Sequence, residues 1–200
     1  DIVASGSQKG YMIPPGLSFI AMSQKAWEAA EKSNLPKFYL NLKSYRKSLL
    51  TNSNPYTPAV NLVFALDEAL KMMREEGLDN IFQRHNKHKL AMSNAVKALN
   101  LKLFADEKYL SPSITAIKTE GIDAEEFRKT IKNNFDILLA GGQDHLKGKI
   151  FRVGHLGYVN DRDIITVVSA MSNTLLKLGK ISAQQAGEAL VMASKYLKGN

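Results

Sequence analysis

Helix start and stop signals punctuate the sequence, and they constrain its fold more than any other feature. Thr57 can cap a helix in which Pro58 takes the first position, where its missing N–H costs nothing, and Gly77 then supplies the stop. Apolar residues at spacings of three and four predict four further helices, three of which open on a polar cap. These four helices are expected over residues 78–99, 123–135, 160–179 and 182–198.

Short apolar segments between these helices predict strands. Two lie near the start of the chain, at Ile2–Val3 and at residues 17–22, and the helical segment SQKAWEAAEK follows the second. Residues 44–58 are rich in Ser, Asn, Thr and Pro and predict a long irregular connection. The alternation predicts an α/β fold in which residues 79–200 form a small α+β domain. Four more strands are expected over residues 102–105, 114–119, 137–140 and 150–153.

The composition is typical of a globular protein with a core, since 44% of the 200 residues are hydrophobic. No apolar run approaches the ~18–20 residues that span a bilayer, so we expect no membrane partner. Cysteine is absent from the sequence, which excludes disulfides and thiolate metal sites within it and fits a cytoplasmic location. Asp1 is not a methionine and opens a predicted strand, so we expect a fragment.

The net charge of +8 permits nucleic acids, phosphorylated compounds or carboxylates as ligands. The lysines are spread over predicted helix faces without the interleaved aromatic residues of a single-strand binder. We therefore expect most of them to be solvated, and we expect no nucleic-acid partner.

Lys9 is the first candidate site residue. It lies in the segment SGSQKGYMIPPG, where a predicted strand gives way to a turn of small residues. Burial disfavours the charged form of an amine, and a neutral lysine amine can form a Schiff base with a carbonyl compound. On spacing alone, a solvated turn lysine is the favoured alternative, because short motifs match by chance.

Thr57 and Arg152 are the second and third candidates. A helix that starts at Thr57 would offer free N–H groups and a hydroxyl to an anion such as phosphate, although a plain helix cap is the common alternative. Arg152 lies on a predicted strand among glycines and can grip a carboxylate with two parallel hydrogen bonds. A strand-end arginine that faces solvent is equally compatible with these residues.

The four histidines carry the weakest signal. His85 and His88 share one helix face, but no nearby carboxylate completes a metal site, so we expect packed or half-exposed side chains and no metal. His145 and His155 flank Arg152 and are expected to shape its surroundings without a catalytic role.

Three segments carry a family resemblance: SGSQKGYMIPPG, NPYTPAV and KIFRVGHLGY. In order and spacing, residues 1–179 resemble the C-terminal half of the class V pyridoxal-phosphate aminotransferases. They look most like the alanine–glyoxylate and serine–glyoxylate (serine–pyruvate) aminotransferases, including homologues labelled soluble hydrogenase small subunits. The resemblance implies a fold type I transferase, with residues 1–78 as the end of the large cofactor-binding domain and 79–200 as the small domain.

The resemblance also implies roles for four residues. Lys9 would form the internal aldimine with pyridoxal phosphate and shuttle the proton between the substrate Cα and the cofactor. Gln8 would contact the cofactor phosphate, and Thr57 would reach the phosphate of the partner subunit's cofactor, which implies a homodimer with shared active sites. Arg152 would bind the substrate carboxylate.

Two features depart from the family pattern. Many relatives carry a tyrosine where this chain has Asn54, and Tyr56 is a possible substitute. The helix over residues 182–198 is less familiar and receives no function. In addition, the segment that pairs with the pyridine nitrogen and stacks on the ring in the family precedes this stretch, so we expect the stretch alone to be inactive.

The activity expected from the resemblance is transfer of an amino group from a small amino acid, serine or alanine, to a 2-oxo acid such as glyoxylate or pyruvate. Another class V reaction stays open, such as a phosphoserine transaminase, a kynureninase-like enzyme or a lyase. Cysteine desulfurases are disfavoured because this stretch has no cysteine. A basic binding module without chemistry is the alternative from a different class, and it predicts binding to nucleic acid that falls steeply with salt.

Overall fold

A computed structural model describes residues 1–198 of the chain. It divides into two compact units, Asp1–Glu75 and Glu76–Asn200. The assignment of the two sides of residue 78 to the large and small domains stays a prediction. No helix in the described part of the chain is long and apolar enough to cross a membrane.

The first unit combines a two-stranded hairpin with three helices. Its strands pair antiparallel, with Ile2 opposite Met22 and Gly6 opposite Ser18. The strands and helices of this unit are β1 (Ile2–Gly6), β2 (Ser18–Met22), α1 (Gln24–Lys32), α2 (Leu42–Leu49) and α3 (Val60–Glu76). Both predicted strands and the predicted helix after the second are confirmed, and Ser23 caps that helix by accepting from Ala26 N–H.

Helix α2 corrects the first part of the irregular connection predicted over residues 44–58, while residues 50–58 contain no helix or strand, as predicted. Asn41 caps the helix, since its side chain accepts from a first-turn N–H. Tertiary contacts then outweigh the low helix propensity of Ser44 and Ser48. The guanidinium of Arg46 lies 4.7 Å from the ring centre of Trp27, a cation–π distance, and Tyr45 lies within an aromatic cluster.

The start of α3 corrects the prediction that Thr57 caps this helix. The first hydrogen bond of the α-helical type, from residue i to residue i−4, runs from Val63 N–H to the Ala59 carbonyl at 3.1 Å. Val60 N–H instead donates to the Pro58 carbonyl at 3.0 Å, so the backbone turns tightly before the helix begins. Thr57 therefore lies on an exposed segment just before the helix. The predicted stop is confirmed, because α3 ends one residue before Gly77.

The second unit is an α+β layer, as predicted. Its four strands form one antiparallel sheet in the order β3-β4-β6-β5. The strands are β3 (Lys102–Leu103), β4 (Ile114–Lys118), β5 (Ala140–Gly141) and β6 (Ile150–Gly154). The helices are α4 (Leu78–Ala98), α5 (Ala124–Phe135), α6 (Asp161–Lys177) and α7 (Ala183–Leu197), and they confirm the four predicted after Gly77.

The prediction of a strand over residues 137–140 is wrong except at Ala140. Asp136 closes α5 in the left-handed conformation, with φ of 54°. After it, the Leu139 carbonyl accepts from Arg128 Nε at 2.8 Å, and β5 pairs with β6 only from Ala140 onward. An arginine side chain thus satisfies a backbone acceptor that the prediction assigned to a strand.

One hydrophobic core lies between the sheet and the helices of the second unit. The predicted apolar stripes point into it, and Phe127 of α5 lies 5.1 Å from Phe151 of β6, ring centre to ring centre. Helices α4, α6 and α7 pack against one another around Met92 and Met171, both fully buried. Burial of large apolar side chains contributes about 1.5–3 kcal/mol each and gives this unit its stability.

The predicted caps of these helices are formed, with one difference. Asn160 and Ser182 each complete a capping box with the residue three positions on. Asp123 accepts from the N–H groups of Glu125 and Glu126, but in the described structure only this half of its predicted box is present.

His155 is fully buried and links β4 to the segment after β6. Its Nδ1–H donates to the Pro112 carbonyl at 3.1 Å, and its Nε2 accepts from the Thr115 hydroxyl at 2.9 Å. Burial, together with the neighbouring His88, lowers the pKa of His155 from 6.5 to about 4. His155 therefore stabilises the unit in its neutral form.

This burial predicts loss of stability in acid. The unfolded chain binds the proton near pH 6.5 and the folded chain only near pH 4, so stability is complete above pH 6.5 and falls as the pH drops toward 4. The expected loss is about 3 kcal/mol, measured as the free energy of urea unfolding at several pH values. A His155→Phe variant should have a flatter profile, whereas a His145→Asn variant should keep the wild-type slope because His145 is exposed. A wild-type profile that is flat between pH 7 and 4.5 would contradict this prediction.

Candidate active site

Lys9 lies on the loop over residues 7–17 that joins β1 to β2. It is exposed, as are its neighbours Gln8 and Gly10, so the burial expected for a reactive lysine is not provided by the first unit. Within the described residues its amine makes no ion pair or hydrogen bond. The loop thus presents an unpaired primary amine.

The backbone around Lys9 is held firmly although the side chain is exposed. The Lys9 carbonyl accepts from Met12 N–H at 3.0 Å and closes a tight turn. Tyr11 stacks on Phe19 of β2 at 4.6 Å between ring centres, and Ile13 is buried. Rigid elements place a reactive group more precisely than a mobile loop does.

Ser7 is the residue that sequence reasoning missed at this site. It precedes the exposed part of the loop and is itself fully buried. Its hydroxyl donates to the Pro14 carbonyl at 2.8 Å and accepts from Leu17 N–H at 3.1 Å. The available signal was a serine between a strand and a Pro-Pro-Gly turn, since short hydroxyl side chains hydrogen-bond to nearby backbone.

Gly16 brings the same loop against α3. Its φ of +141° favours glycine, and a Cβ there would lie 2.5 Å from Leu62 Cδ1, so the leucine side chain would have to shift. The loop with Lys9 and Gln8 therefore contacts the first turn of the helix that Thr57 precedes. The side chains of Gln8 and Thr57 are exposed and make no hydrogen bond within residues 1–198.

The hydroxyl of Tyr56, the suggested substitute for a family tyrosine, is hydrogen-bonded within the first unit. Its hydroxyl donates to the Phe38 carbonyl at 3.1 Å, and its ring lies 4.7 Å from that of Tyr39. The residue orders the segment before α3. A phosphate contact would require this hydrogen bond to break, so Thr57 is the better placed hydroxyl.

Arg152 occupies the middle of β6, opposite Ala116 of β4 and Ala140 of β5. It is half-buried, and its Nε donates to the Gly141 carbonyl at 2.9 Å. Its two terminal nitrogens have no hydrogen-bond or ion-pair partner in the described part of the chain. A guanidinium anchored in this way presents a fixed fork of donors that matches a carboxylate.

The glycines beside Arg152 permit close approach, as the sequence indicated. A Cβ at Gly141 would lie 2.6 Å from Arg128 Nη1, and one at Gly142 would collide with the Leu146 carbonyl. Arg128 is itself paired with Glu125 at 2.7 Å, so its charge is neutralised. Arg152 is thus the arginine near these glycines whose charge is available to a ligand.

Helix α4 holds the segment that follows β6. Arg84 Nη1 donates to the carbonyls of Gly157 and Val159, each at 2.9 Å. His85 Nδ1–H donates to the Ile81 carbonyl, and its Nε2 accepts from Gly157 N–H at 3.1 Å. The expectation of a packed or half-exposed His85 agrees with these contacts, while no role for Arg84 was predicted from the sequence.

His88 and Asp161 form a further polar pair at the start of α6. His88 is fully buried, and its Nε2–H donates to Asp161 at 2.9 Å, while Lys87 pairs with the other oxygen of that carboxylate at 2.8 Å. Burial lowers the pKa of His88. In the described structure, no group of three or more histidine, aspartate and glutamate side chains could hold a metal ion.

The structure thus places Lys9, Gln8 and Thr57 in the first unit and Arg152 in the second. In the first unit it puts Lys9 and Gln8 on one rigid loop beside the start of α3. In the second it presents a carboxylate-binding fork on a strand. Taken separately, a primary amine can react with a carbonyl compound and a guanidinium can bind a carboxylate.

Comparison with known proteins gives a consistent result. The family described as Aminotransferase class-V matches residues 1–166. The soluble hydrogenase small subunit of Synechococcus sp. (strain PCC 6716) is 58% identical over 197 residues, 98% of this chain and 51% of that protein. The serine–glyoxylate aminotransferase of Methylorubrum extorquens is 35% identical over 208 residues, 100% of this chain and 51% of that protein.

Solved structures confirm the predicted fold. The crystal structure of pyridoxamine-pyruvate aminotransferase from Mesorhizobium loti superposes with a TM-score of 0.92 at 26% identity. The match covers 99% of this chain and 52% of that one, so the chain spans about half the length of the relatives it matches. From the family match and these identities, the chain belongs to the class-V aminotransferase family.

Proposed function

We propose that the protein is a pyridoxal-phosphate-dependent transaminase that moves an amino group from serine or alanine to a 2-oxo acid such as glyoxylate or pyruvate. The observation that carries the proposal is the unpaired Lys9 amine on a backbone held at both ends, at the position where the family resemblance implies the cofactor lysine. A solvated turn lysine requires no such support.

The donor set in this chain fits the cofactor. Pyridoxal phosphate supplies an aldehyde, an anionic phosphate and an electron-accepting ring that eases loss of a proton from the amino acid Cα. The Lys9 amine matches the aldehyde, and the Gln8 amide and Thr57 hydroxyl match phosphate oxygens. These three side chains are exposed and make no hydrogen bond within residues 1–198, so binding would break no internal contact.

Two residues of this chain would act on the substrate. Arg152 binds the α-carboxylate through its terminal nitrogens, while its Nε stays anchored to the Gly141 carbonyl and fixes the fork. Lys9 Nζ would accept the proton from the substrate Cα and give it up again when the amino-group transfer is completed. Arg152 would limit the orientations that the bound amino acid can adopt.

The proposal includes a cytoplasmic homodimer in which Thr57 of one subunit contacts the phosphate in the other. The position of Thr57 supports this, since it is exposed outside α3 and free to meet a group from elsewhere. Serine is chosen from the name of the Methylorubrum extorquens relative and alanine from the family resemblance, and the assay measures the side-chain selectivity.

A donor and acceptor screen on the full-length protein tests the function. Serine and alanine, each paired with glyoxylate or pyruvate, are expected to give the corresponding oxo acid and amino acid, measured by chromatography. The cofactor bound to Lys9 is expected to give a visible absorption band. Phosphoserine and cysteine serve as comparison donors. A hydrogen-uptake assay tests whether the protein has the activity that the name of the Synechococcus relative suggests. Absence of both the band and any amino transfer from a folded protein would overturn the proposal.

A further inference from the structure

We propose that the Ser7 hydroxyl is the positioning group for Lys9, because it fixes the turn from which the amine projects. The inference rests on the proposed function for the role of Lys9, but the ordering of the turn can be measured without the cofactor. Ser7 touches no reacting atom and acts only through the loop.

Ser7 closes both ends of the loop. Its N–H donates to the Leu17 carbonyl at 3.0 Å, and its carbonyl accepts from Ile13 N–H at 3.4 Å. The hydroxyl adds the bonds to the Pro14 carbonyl and Leu17 N–H. All the polar groups of one buried residue are therefore used to tie residue 7 to the segment that returns to β2.

The hydroxyl bonds are the ones that a strand ladder would not supply. The single backbone bond between Ser7 N–H and the Leu17 carbonyl extends the β1–β2 pairing by one residue. The Pro14 carbonyl lies outside the ladder and accepts from the Ser7 hydroxyl. This bond draws the Pro-Pro-Gly turn back toward residue 7, which leaves Gln8, Lys9 and Gly10 at the exposed tip.

Ser5 provides the internal comparison. It lies two residues earlier, pairs with Phe19 in the same hairpin and is exposed. Its hydroxyl makes no hydrogen bond within residues 1–198. Ser5→Ala and Ser7→Ala each remove one hydroxyl group. Only the Ser7 substitution removes hydrogen bonds that close the loop.

Amide hydrogen exchange on the full-length, cofactor-free protein is the first test. In the wild type, the Leu17 and Met12 amides should exchange more slowly than that of Gly10. In a Ser7→Ala variant, exchange at both Leu17 and Met12 should rise by roughly tenfold, as expected when partly buried hydrogen bonds are lost. Ser5→Ala should change neither. Equal wild-type exchange at Leu17 and Gly10, or unchanged Met12 exchange in Ser7→Ala, would overturn the inference.

Kinetics of the loaded enzyme are the second test. Ser7→Ala should lower kcat by roughly tenfold or more and leave the KM for the amino acid nearly unchanged, because Arg152 still binds the carboxylate. A kcat equal to that of Ser5→Ala would overturn the inference while leaving the transaminase proposal in place. A folded wild type with neither a cofactor band nor amino transfer would instead overturn the transaminase proposal, and the exchange data would still decide whether Ser7 orders the turn.

Thermal unfolding shows whether the variants are folded. If Ser7→Ala is unfolded, Ser7→Cys replaces it, since a thiol of similar size keeps a weak donor and should give an intermediate rise in Met12 exchange. The wild-type exchange pattern needs no variant, so it tests the inference in either case.

Discussion

Replacing Lys9 with alanine is expected to remove the visible absorption band and to lower amino transfer by roughly 100- to 10,000-fold, the usual contribution of a positioned acid–base group. The structure explains the size of the effect. The Lys9 amine makes no hydrogen bond or ion pair within residues 1–198, and its neighbours Gln8 and Gly10 have no group that could move a proton in its place. The measurement is the absorption spectrum together with the rate of oxo-acid formation.

Two further variants sharpen this result. Lys9→Arg keeps the positive charge but cannot release a proton near neutral pH, so it should be as inactive as Lys9→Ala. Lys32→Ala is the matched control, because Lys32 is also exposed in the first unit, at the end of α1. If Lys9→Arg retained most of the activity, Lys9 would act only as a charge and its acid–base role would be wrong.

Replacing Arg152 with alanine is expected to lower kcat/KM for the amino acid by about 30-fold or more, since loss of one partner of a hydrogen-bonded charge pair costs about 2–5 kcal/mol. The α-carboxylate would lose two parallel hydrogen bonds and the orientation they impose. The effect should fall mainly on KM for the amino acid and the oxo acid. The absorption band of the bound cofactor should remain, because Arg152 is assigned to the substrate alone.

The chain offers a conservative variant and a control for Arg152. Arg152→Lys keeps a charge but not the planar fork anchored at the Gly141 carbonyl, so its kcat/KM should lie between those of the wild type and Arg152→Ala. Arg162→Ala should match the wild type, since Arg162 is exposed on α6. Loss of the absorption band in Arg152→Ala would show that Arg152 supports the cofactor, contrary to the assignment.

Much of the second unit was predictable because its signals are local and mutually consistent. Asn160 and Ser182 stand before apolar residues at helical spacing, and both form the expected capping boxes. Met92 and Met171 lie on predicted stripes and are fully buried. A cap and an apolar period each involve residues within a few positions of one another, so they can be seen in the sequence.

Predictions that depended on long-range contacts were less successful. The serines of α2 favour turns in the sequence, and the stacking of Arg46 on Trp27 that accompanies the helix cannot be seen there. The strand before Ala140 was overestimated because Arg128, on another element, satisfies the Leu139 carbonyl. Thr57 was taken for a cap, but the backbone turns at Pro58 and delays the helix.

The sequence by itself determined the family, the order of the helices and the residue types of the candidate site, because Lys9, Gln8, Thr57 and Arg152 lie in short segments with recognisable spacing. Only the tertiary structure decided how Lys9 and Arg152 are held. Ser7 meets Pro14 and Leu17 across a loop, and Arg152 reaches the Gly141 carbonyl across the sheet. Hydrogen bonds depend on distances that the folded backbone sets. The sequence therefore indicates which residues carry the proposed chemistry, but it does not show which groups hold those residues in place.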